Sequence, residues 1–235
     1  AVLVPNVSNP FFAEFVDHVE AELYKAGFKM MLCTTEKEFN AELEYLDMLN
    51  RHIVDGVITG AHSLAVEEYK KIHKPIVALD RYLGEDIPVI AVNHKEGGRL
   101  AAETLIQNGC RRVLHFRGKV TVESPYHDRH FEFARIMEEH GIQTIDYELG
   151  RNRLDSEYYK KAVKDVFTRG IDFDGVFGVD RPVIECMNET IRRHRRVPED
   201  VKFVAYDGTF ITEMVEPPLT AIVQPIKELA RESVR

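Results

Sequence analysis

The stretch Asp55-Gly56-Val57-Ile58 decides the fold class, because an acidic turn and a glycine there open a hydrophobic strand. Asp174-Gly175-Val176-Phe177 repeats this arrangement in the second half of the chain. A helix–glycine–strand junction also recurs, first as Lys25-Ala26-Gly27-Phe28 and then as Glu139-His140-Gly141-Ile142. Any α/β fold contains such turns, but their shared order predicts two similar lobes rather than one long sheet.

Short apolar runs alternate with longer amphipathic ones along the chain. The short runs predict buried strands, and the runs with three- and four-residue spacing predict helices between them. In the first helix apolar residues recur from Phe12 to Leu23, Pro10 occupies the first turn, and Gly27 supplies a left-handed cap. The alternation predicts an α/β protein of two Rossmann-like lobes with mainly parallel sheets.

The composition of the 235 residues, with 44% hydrophobic and 30% charged residues, is that of a globular protein. No apolar run approaches the roughly 18 residues that cross a bilayer, so we expect no membrane partner. The three cysteines are far apart, which favours a reducing cytoplasm over a disulfide framework.

The net charge of −8 argues against direct nucleic-acid binding by this chain, since that activity needs a basic surface. The basic run Arg192–Arg196 has two interpretations. It is either the positively charged end of a helix, which suits the helix dipole, or a contact with nucleic acid. We expect the helix end.

Motifs for cofactors and catalysis are missing from the sequence. It contains no glycine-rich dinucleotide or phosphate loop, no zinc-binding helix and no nucleophile elbow. His127, Asp128 and His130 lie close in sequence, but neighbouring helix positions face different ways, so we expect solvated surface histidines. The sequence therefore predicts no enzyme, no cofactor and no metal site.

Polar and aromatic residues follow the predicted strands, where parallel α/β sheets bind ligands. Asn9, Phe11 and Phe12 follow the first strand and suit a sugar, whose C–H faces lie on aromatic rings. The alternative is that both phenylalanines belong to the core. Asp80 and Arg81 follow the fourth strand and could hold adjacent hydroxyls, unless they form a structural ion pair.

Three polar residues follow strands in the second half: Asp180, Asp207 and Gln224. The alternatives are that the two aspartates cap helices and that the glutamine lies in a solvent-facing turn. The convergence of these residues, more than any one of them, predicts a site for a small polar ligand.

Several segments resemble the lactose/galactose-repressor (LacI/GalR) family of bacterial transcription regulators, whose core is similar to periplasmic sugar-binding proteins. The resemblance covers nearly the whole chain. It is carried by Val7–Phe12, Asp55–Ile58, Asp80-Arg81, Val197–Val201 and Pro217–Thr220.

The resemblance implies a ribose-like site. Asn9 and Phe12 match the family's first-loop asparagine and stacking aromatic, and Asp80-Arg81 the hydroxyl-binding pair. It also assigns Arg129 a ligand contact, and Asp207 and Gln224 match the later acid and amide. The sequence departs from the family at Glu132, which replaces a glycine, at Val179, which stands in place of an amide, and at Ala205 and Gly208.

The resemblance also implies a periplasmic-binding-protein-like organisation with a hinge. We expect an N-terminal lobe of residues 1–111 plus 225–235 and a C-terminal lobe of 112–224. A helix-turn-helix domain, absent from this sequence, would read operator DNA. A sugar or sugar phosphate would close the lobes of a homodimer. A periplasmic sugar-binding protein of a transport system is the alternative, and an enzyme on the same scaffold the third possibility.

Overall fold

The computed structural model describes residues 1–35, 41–61, 66–72, 74–120, 123–150 and 156–235. The chain forms two compact units. Unit 1 comprises Ala1–Val92, Val122–Tyr126 and Pro225–Arg235, and unit 2 comprises Asn93–Thr121 and His127–Gln224. No helix in the described ranges has the length and apolar character needed to cross a bilayer.

Unit 1 is a parallel sheet with helices between its strands. Its elements are β1 (Val2–Val4), α1 (Pro10–Lys25), β2 (Leu32–Thr34), α2 (Ala41–Asn50), β3 (Val57–Thr59), α3 (Val66–Lys70), β4 (Ile76–Leu79), β5 (Val89–Ile90) and the final helix (Ile226–Val234). The final helix packs with α1, and Phe15, Val19 and Leu229 share one core cluster. The sequence pattern also places Ala65 in the third helix, but that residue lies outside the described ranges.

Unit 2 repeats this architecture. Its elements are α4 (His94–Gln107), β6 (Arg112–Gly118), α5 (Asp128–Glu139), β7 (Gln143–Leu149), α6 (Ser156–Thr168), β8 (Gly175–Val179), α7 (Asp180–Arg192), β9 (Lys202–Asp207) and β10 (Thr220–Val223). The final helix of unit 1 is accordingly α8. The aromatic residues Phe116, Phe173 and Phe203 lie in the core on one side of this sheet.

The two sheets have the same topology, which confirms the two-lobed α/β fold. Unit 1 has the strand order β2-β1-β3-β4-β5, and unit 2 the order β7-β6-β8-β9-β10, with all pairs parallel. The two aspartate–glycine turns open β3 and β8, which are the third strands of their sheets. The Asp174 carboxylate accepts hydrogen bonds from the backbone N–H groups of Arg111 and Arg112 at 2.9 Å.

Helix α4 packs within unit 2, whereas the resemblance places residues up to 111 in the first lobe. Its apolar face, with Ala101 and Leu105, joins Phe133 and Met137 of α5 and Val113 of β6 in one core cluster. The unit boundary therefore falls at Val92/Asn93, before the helix. A second unit boundary falls at Gln224/Pro225. The expected extents of the two lobes stay a prediction.

The prediction of solvated histidines at the start of α5 is wrong. His127 is buried, and His130 is only 5% exposed. His130 lies on the same helix face as Phe133 and Met137, and that face turns toward the sheet. Only Asp128 of the three residues is exposed.

A hydrogen-bonded chain of side chains crosses the core of unit 2. His115 is 1% exposed, and its Nε2 lies 2.9 Å from His130 Nδ1. Its Nδ1 lies 3.1 Å from Asp146 Oδ1. Burial lowers the pKa of both imidazoles, and the positive Arg129 guanidinium lowers the pKa of His130 further. The hydrogen bond to Asp146 opposes the fall in the pKa of His115.

The hydrogen bonds from His130 through His115 to Asp146 predict that the folded protein loses stability in mild acid. Because the folded-state pKa values lie below the ordinary histidine value of 6.5, protonation favours the unfolded chain as the pH falls below that value. Replacing His130→Asn should therefore remove about 1.4 kcal/mol of the decrease in unfolding free energy between pH 7.5 and 5.5. Urea denaturation at both pH values measures the difference.

The exposed Gln143 provides the control, and Gln143→Asn, which changes no titratable group, should keep the wild-type pH profile. Equal pH dependence in wild type and His130→Asn would show that His130 does not stay neutral in the folded state.

Candidate functional site

The first loop of unit 1 places one asparagine and one aromatic ring at the ends of the strands. Asn9 is the N-cap of α1, and its side chain accepts a hydrogen bond from the Phe11 N–H at 2.9 Å. Phe11 is buried and stacks on Phe15, which makes it a core residue. Phe12 is half-buried and lies beside Gly60, directly after β3.

An aspartate with unusual backbone geometry follows the fourth strand of each sheet. Asp80 follows β4 with φ of 52°, and Asp207 ends β9 with φ of 109°. Non-glycine residues rarely adopt positive φ, and such strain concentrates at functional sites. The Ser124 hydroxyl donates a hydrogen bond to the carbonyl of Asp80. The repeated fold thus presents an acid at equivalent positions of its two units.

Arg81 forms a buried ion pair with Glu42, whereas the structural alternative for Asp80-Arg81 was an ion pair at the lobe surface. The side chain is 1% exposed, and its Nη1 lies 3.5 Å from Glu42 Oε1. Nη1 also donates to the carbonyl of Ala61 at 3.0 Å. The Tyr69 hydroxyl donates to the same Glu42 carboxylate, and burial together with this carboxylate raises the pKa of Tyr69.

In unit 2, Arg129 lies on an aromatic face. Its guanidinium carbon is 4.3 Å from the centroid of the Tyr206 ring, and the residue is 8% exposed. The Tyr206 hydroxyl lies 2.9 Å from Nδ1 of His94, the first residue of α4. Cation–π contact and hydrogen bond together hold the ring and the guanidinium in place.

The Asp180 side chain forms hydrogen bonds with the loop after β9. Its carboxylate accepts hydrogen bonds from the Gly208 N–H at 3.1 Å, the Thr209 N–H at 2.8 Å and the Thr209 hydroxyl at 2.6 Å. Asp180 is the first residue of α7. The N-cap of this helix is Val179, and no side chain makes a capping hydrogen bond there. The helix-capping alternative therefore does not describe this aspartate.

Gln224 is buried beside Asp207, so it does not lie in a solvent-facing turn. The residue is 6% exposed, and its Nε2 donates to Asp207 Oδ1 at 2.7 Å. Its backbone N–H donates to the Asp207 carbonyl at 2.9 Å. Its Oε1 is buried and has no hydrogen-bond partner among the described residues. A buried acceptor of this kind requires a donor, because leaving it unmatched costs about 1–3 kcal/mol.

The structure thus pairs Gln224 with Asp207 at the end of β9, and it places Arg129 on the ring of the preceding residue, Tyr206. Reasoning from sequence missed four residues that organise the site: Glu42, Tyr69, His94 and Tyr206. Tyr206 directly precedes Asp207, so its position was a usable signal. For the other three, no sequence pattern links them to their partners, which are distant along the chain.

The arginines of the basic run at the end of α7 form ion pairs and hydrogen bonds with other residues of this chain. Arg192 and Arg193 pair with Glu189 at 3.0 and 2.8 Å, and Arg196 pairs with Asp200 at 2.6 Å. Arg195 donates to the carbonyl of Phe173 at 2.7 Å. These contacts favour the helix-end interpretation. In the described part of the chain, no group of three or more His, Cys, Asp or Glu side chains is placed to hold a metal ion.

Comparisons with known proteins identify the family. Residues 102–235, more than half of the chain, match the periplasmic binding protein-like domain. The sucrose operon repressor of Streptococcus mutans is 33% identical over 230 residues, which cover 97% of this chain and 70% of the repressor. The ribose operon repressor of Halalkalibacterium halodurans is 34% identical over 235 residues, 100% of this chain and 70% of that protein.

Solved structures agree with this match. A periplasmic binding protein/LacI transcriptional regulator from Alkaliphilus metalliredigens, complexed with D-xylulofuranose, has a TM-score of 0.87 and 28% identity, covering 99% of this chain and 86% of that one. A LacI family regulator from Enterococcus faecium with bound ribose has a TM-score of 0.85 and 26% identity, with the same coverage. The chain therefore belongs to the LacI family of transcriptional repressors, and it contains the family's periplasmic binding protein-like core.

Proposed function

We propose that this chain is the effector-sensing core of a DNA-binding repressor and that its effector is a small polyhydroxylated ligand, a sugar or sugar phosphate. The observation that carries the proposal is the buried Oε1 of Gln224, which accepts no hydrogen bond from the described residues. It lies on a side chain already bonded to the Asp207 carboxylate. A ligand hydroxyl is the donor that this acceptor requires.

The neighbouring groups suit the same chemistry. A sugar hydroxyl both donates and accepts, so it matches a site that offers both an arginine fork and a carboxylate. Arg129 supplies the donors, and Asp207 supplies the acceptor. In unit 1 the half-buried Phe12 offers an aromatic face for the C–H surface of a sugar ring.

The nine residues expected at the site divide into two roles under this proposal. Three of them contact other residues of this chain and support the site without contacting the effector: Phe11, Arg81 and Asp180. Six contact the effector: Asn9, Phe12, Asp80, Arg129, Asp207 and Gln224.

The ligands of related structures support a sugar. The Alkaliphilus protein was solved with D-xylulofuranose and the Enterococcus protein with ribose. The departure at Val179, where relatives of the family supply an amide, removes one polar group from unit 2. We therefore propose a sugar whose recognition in unit 2 rests on Arg129, Asp207 and Gln224.

The proposed setting follows from the family. A helix-turn-helix domain outside this sequence binds operator DNA in the cytoplasm, and the core acts as a homodimer that carries out no reaction. The effector stabilises a closed hinge state by its differential affinity for the two states, which is commonly about 1–3 kcal/mol. Because the curated relatives named above are operon repressors, they favour regulation over the transport alternative.

A thermal-shift titration tests the proposed effector class. D-Ribose, D-xylulose, sucrose and ribose 5-phosphate are each added to the purified chain. A ligand at 100-fold excess over its Kd stabilises the folded state by about 2.7 kcal/mol, or a rise in Tm of roughly 5–10 °C for a chain of this size. Gln224→Ala should lose at least half of the shift, because it deletes the buried acceptor.

The exposed Gln143 provides a matched control in the same unit, and Gln143→Ala should keep the full shift. Each variant is compared with its own Tm without ligand. The proposal fails if none of the four compounds stabilises the wild type, and the site assignment fails if Gln224→Ala retains the shift.

A further inference from the structure

The end of β9 is bonded to the chain next to two of the places where it passes between the units. The chain first enters unit 2 at Asn93 and finally leaves it after Gln224, with Val122–Tyr126 assigned to unit 1 in between. Directly inside the first and the last boundary a side chain reaches the end of β9. Nδ1 of His94 lies 2.9 Å from the Tyr206 hydroxyl, and Nε2 of Gln224 donates to Asp207 Oδ1 at 2.7 Å. Two consecutive residues, Tyr206 and Asp207, are therefore bonded to side chains at the first and the last of these boundaries.

Tyr206 has a second contact, on its ring face. The Arg129 guanidinium carbon lies 4.3 Å from the ring centroid, while the hydroxyl at the other end of the ring reaches His94. The residue is 2% exposed, so the ring is confined on all sides. A displacement of the Arg129 guanidinium must therefore shift the Tyr206 ring and, through the ring hydroxyl, the first turn of α4.

Helix α4 packs so closely against Tyr206 and Arg129 that two of its positions have no room for a side chain. A Cβ added at Gly97 would lie 2.7 Å from the Tyr206 hydroxyl oxygen, and one added at Gly98 would lie 2.2 Å from the carbonyl oxygen of Arg129. Only glycine permits such an approach, because any side chain would overlap its neighbour. The first turn of α4, Tyr206 and Arg129 thus form one closely packed group next to the Val92/Asn93 boundary.

We propose that Tyr206 is a positioning residue with two separable actions. Its ring orients the Arg129 guanidinium toward the effector. Its hydroxyl, through His94, transmits occupancy at Arg129 to the first turn of α4 and so to the connection between the units. The second action rests on the proposed function, since it assumes that the effector contacts Arg129. The contacts of ring and hydroxyl in the ligand-free chain do not depend on that assumption.

Two substitutions separate the actions. Tyr206→Phe keeps the ring and removes only the hydroxyl, whereas Tyr206→Leu removes the ring. Tyr147→Phe is a matched control, because the Tyr147 hydroxyl also makes a hydrogen bond in unit 2, to Asp165 at 2.9 Å. Urea denaturation establishes that each variant is folded before it is used.

Hydrogen exchange of the ligand-free chain, followed by mass spectrometry, tests the hydroxyl. The amides of Glu96 and Gly97 are bonded to Asn93 in the first turn of α4. Tyr206→Phe should exchange these amides about tenfold faster, and Tyr147→Phe should match the wild type. Unchanged exchange in Tyr206→Phe would overturn the tie to α4.

The Arg129 Nε–H resonance in ¹H–¹⁵N spectra tests the ring. The ring current of Tyr206 should displace this resonance in wild type and Tyr206→Phe, and Tyr206→Leu should return it to the range of exposed arginines. A resonance that stays in place in Tyr206→Leu would overturn the positioning of Arg129. If the Leu variant does not fold, the wild-type and Tyr206→Phe spectra decide, because an Arg129 resonance in the range of exposed arginines in both proteins would overturn the positioning.

D-Ribose is the ligand that tests whether occupancy at Arg129 is transmitted to the first turn of α4. In the wild type, ribose should slow exchange at Glu96 and Gly97. For Tyr206→Phe, calorimetry first gives the Kd of the variant itself, and at a ribose concentration that saturates the variant the exchange of these two amides should stay unchanged. Equal protection in both proteins would overturn the transmission through His94. If ribose does not bind the wild type, ribose is excluded as the effector, and the two ligand-free measurements alone decide the role of Tyr206.

Discussion

The stacking of Arg129 on Tyr206 connects the start of α5 with the end of β9 in unit 2. A guanidinium cannot lose its proton, so burying it requires polar or aromatic partners that replace water. The Tyr206 ring supplies one such partner, and the approach of α4 through Gly98 fixes the backbone of Arg129. The hydroxyl of the same tyrosine meets His94, and the next residue, Asp207, meets Gln224. The polar residues at this strand end therefore depend on one another.

Unit 1 buries its own arginine by a different means. Arg81 faces the Glu42 carboxylate, which also accepts the hydrogen bond of Tyr69. Removing one partner of a buried ion pair typically costs about 3–5 kcal/mol, because the other charge is left without compensation. Two units of equal topology thus place an arginine near a tyrosine at the carboxyl ends of their strands. In unit 1 the balancing charge is the Glu42 carboxylate, and in unit 2 the Arg129 guanidinium lies on the Tyr206 ring.

The sequence predicted the architecture because its signals are local. The aspartate–glycine turns do open the third strand of each sheet, and Pro10 and Gly27 do mark the start and end of α1. The residues that follow strands were located for the same reason, since strand ends can be read from an apolar run. Asp207 and Gln224 are also paired in the structure, although no local pattern requires it.

Other features depend on contacts between distant residues. Arg81 and Glu42 come from different elements, so their ion pair left no pattern in the sequence. His130 was expected in solvent, because its polar type outweighed the spacing that places it with Phe133 and Met137. Helix α4 follows the last strand of unit 1 but packs in unit 2, and chain order alone does not reveal which sheet a helix covers.

Calorimetric titration of an Arg129→Met variant tests the central claim most directly, namely that the guanidinium held on Tyr206 is the donor for the effector. Methionine keeps the apolar stem and removes the charge. Arg169→Met is the matched control, because Arg169 also lies over a tyrosine ring, 5.7 Å from the centroid of Tyr147. For the sugar that binds the wild type, Arg129→Met should raise Kd at least tenfold, and Arg169→Met should leave it unchanged. Equal Kd values in wild type and Arg129→Met would contradict the account.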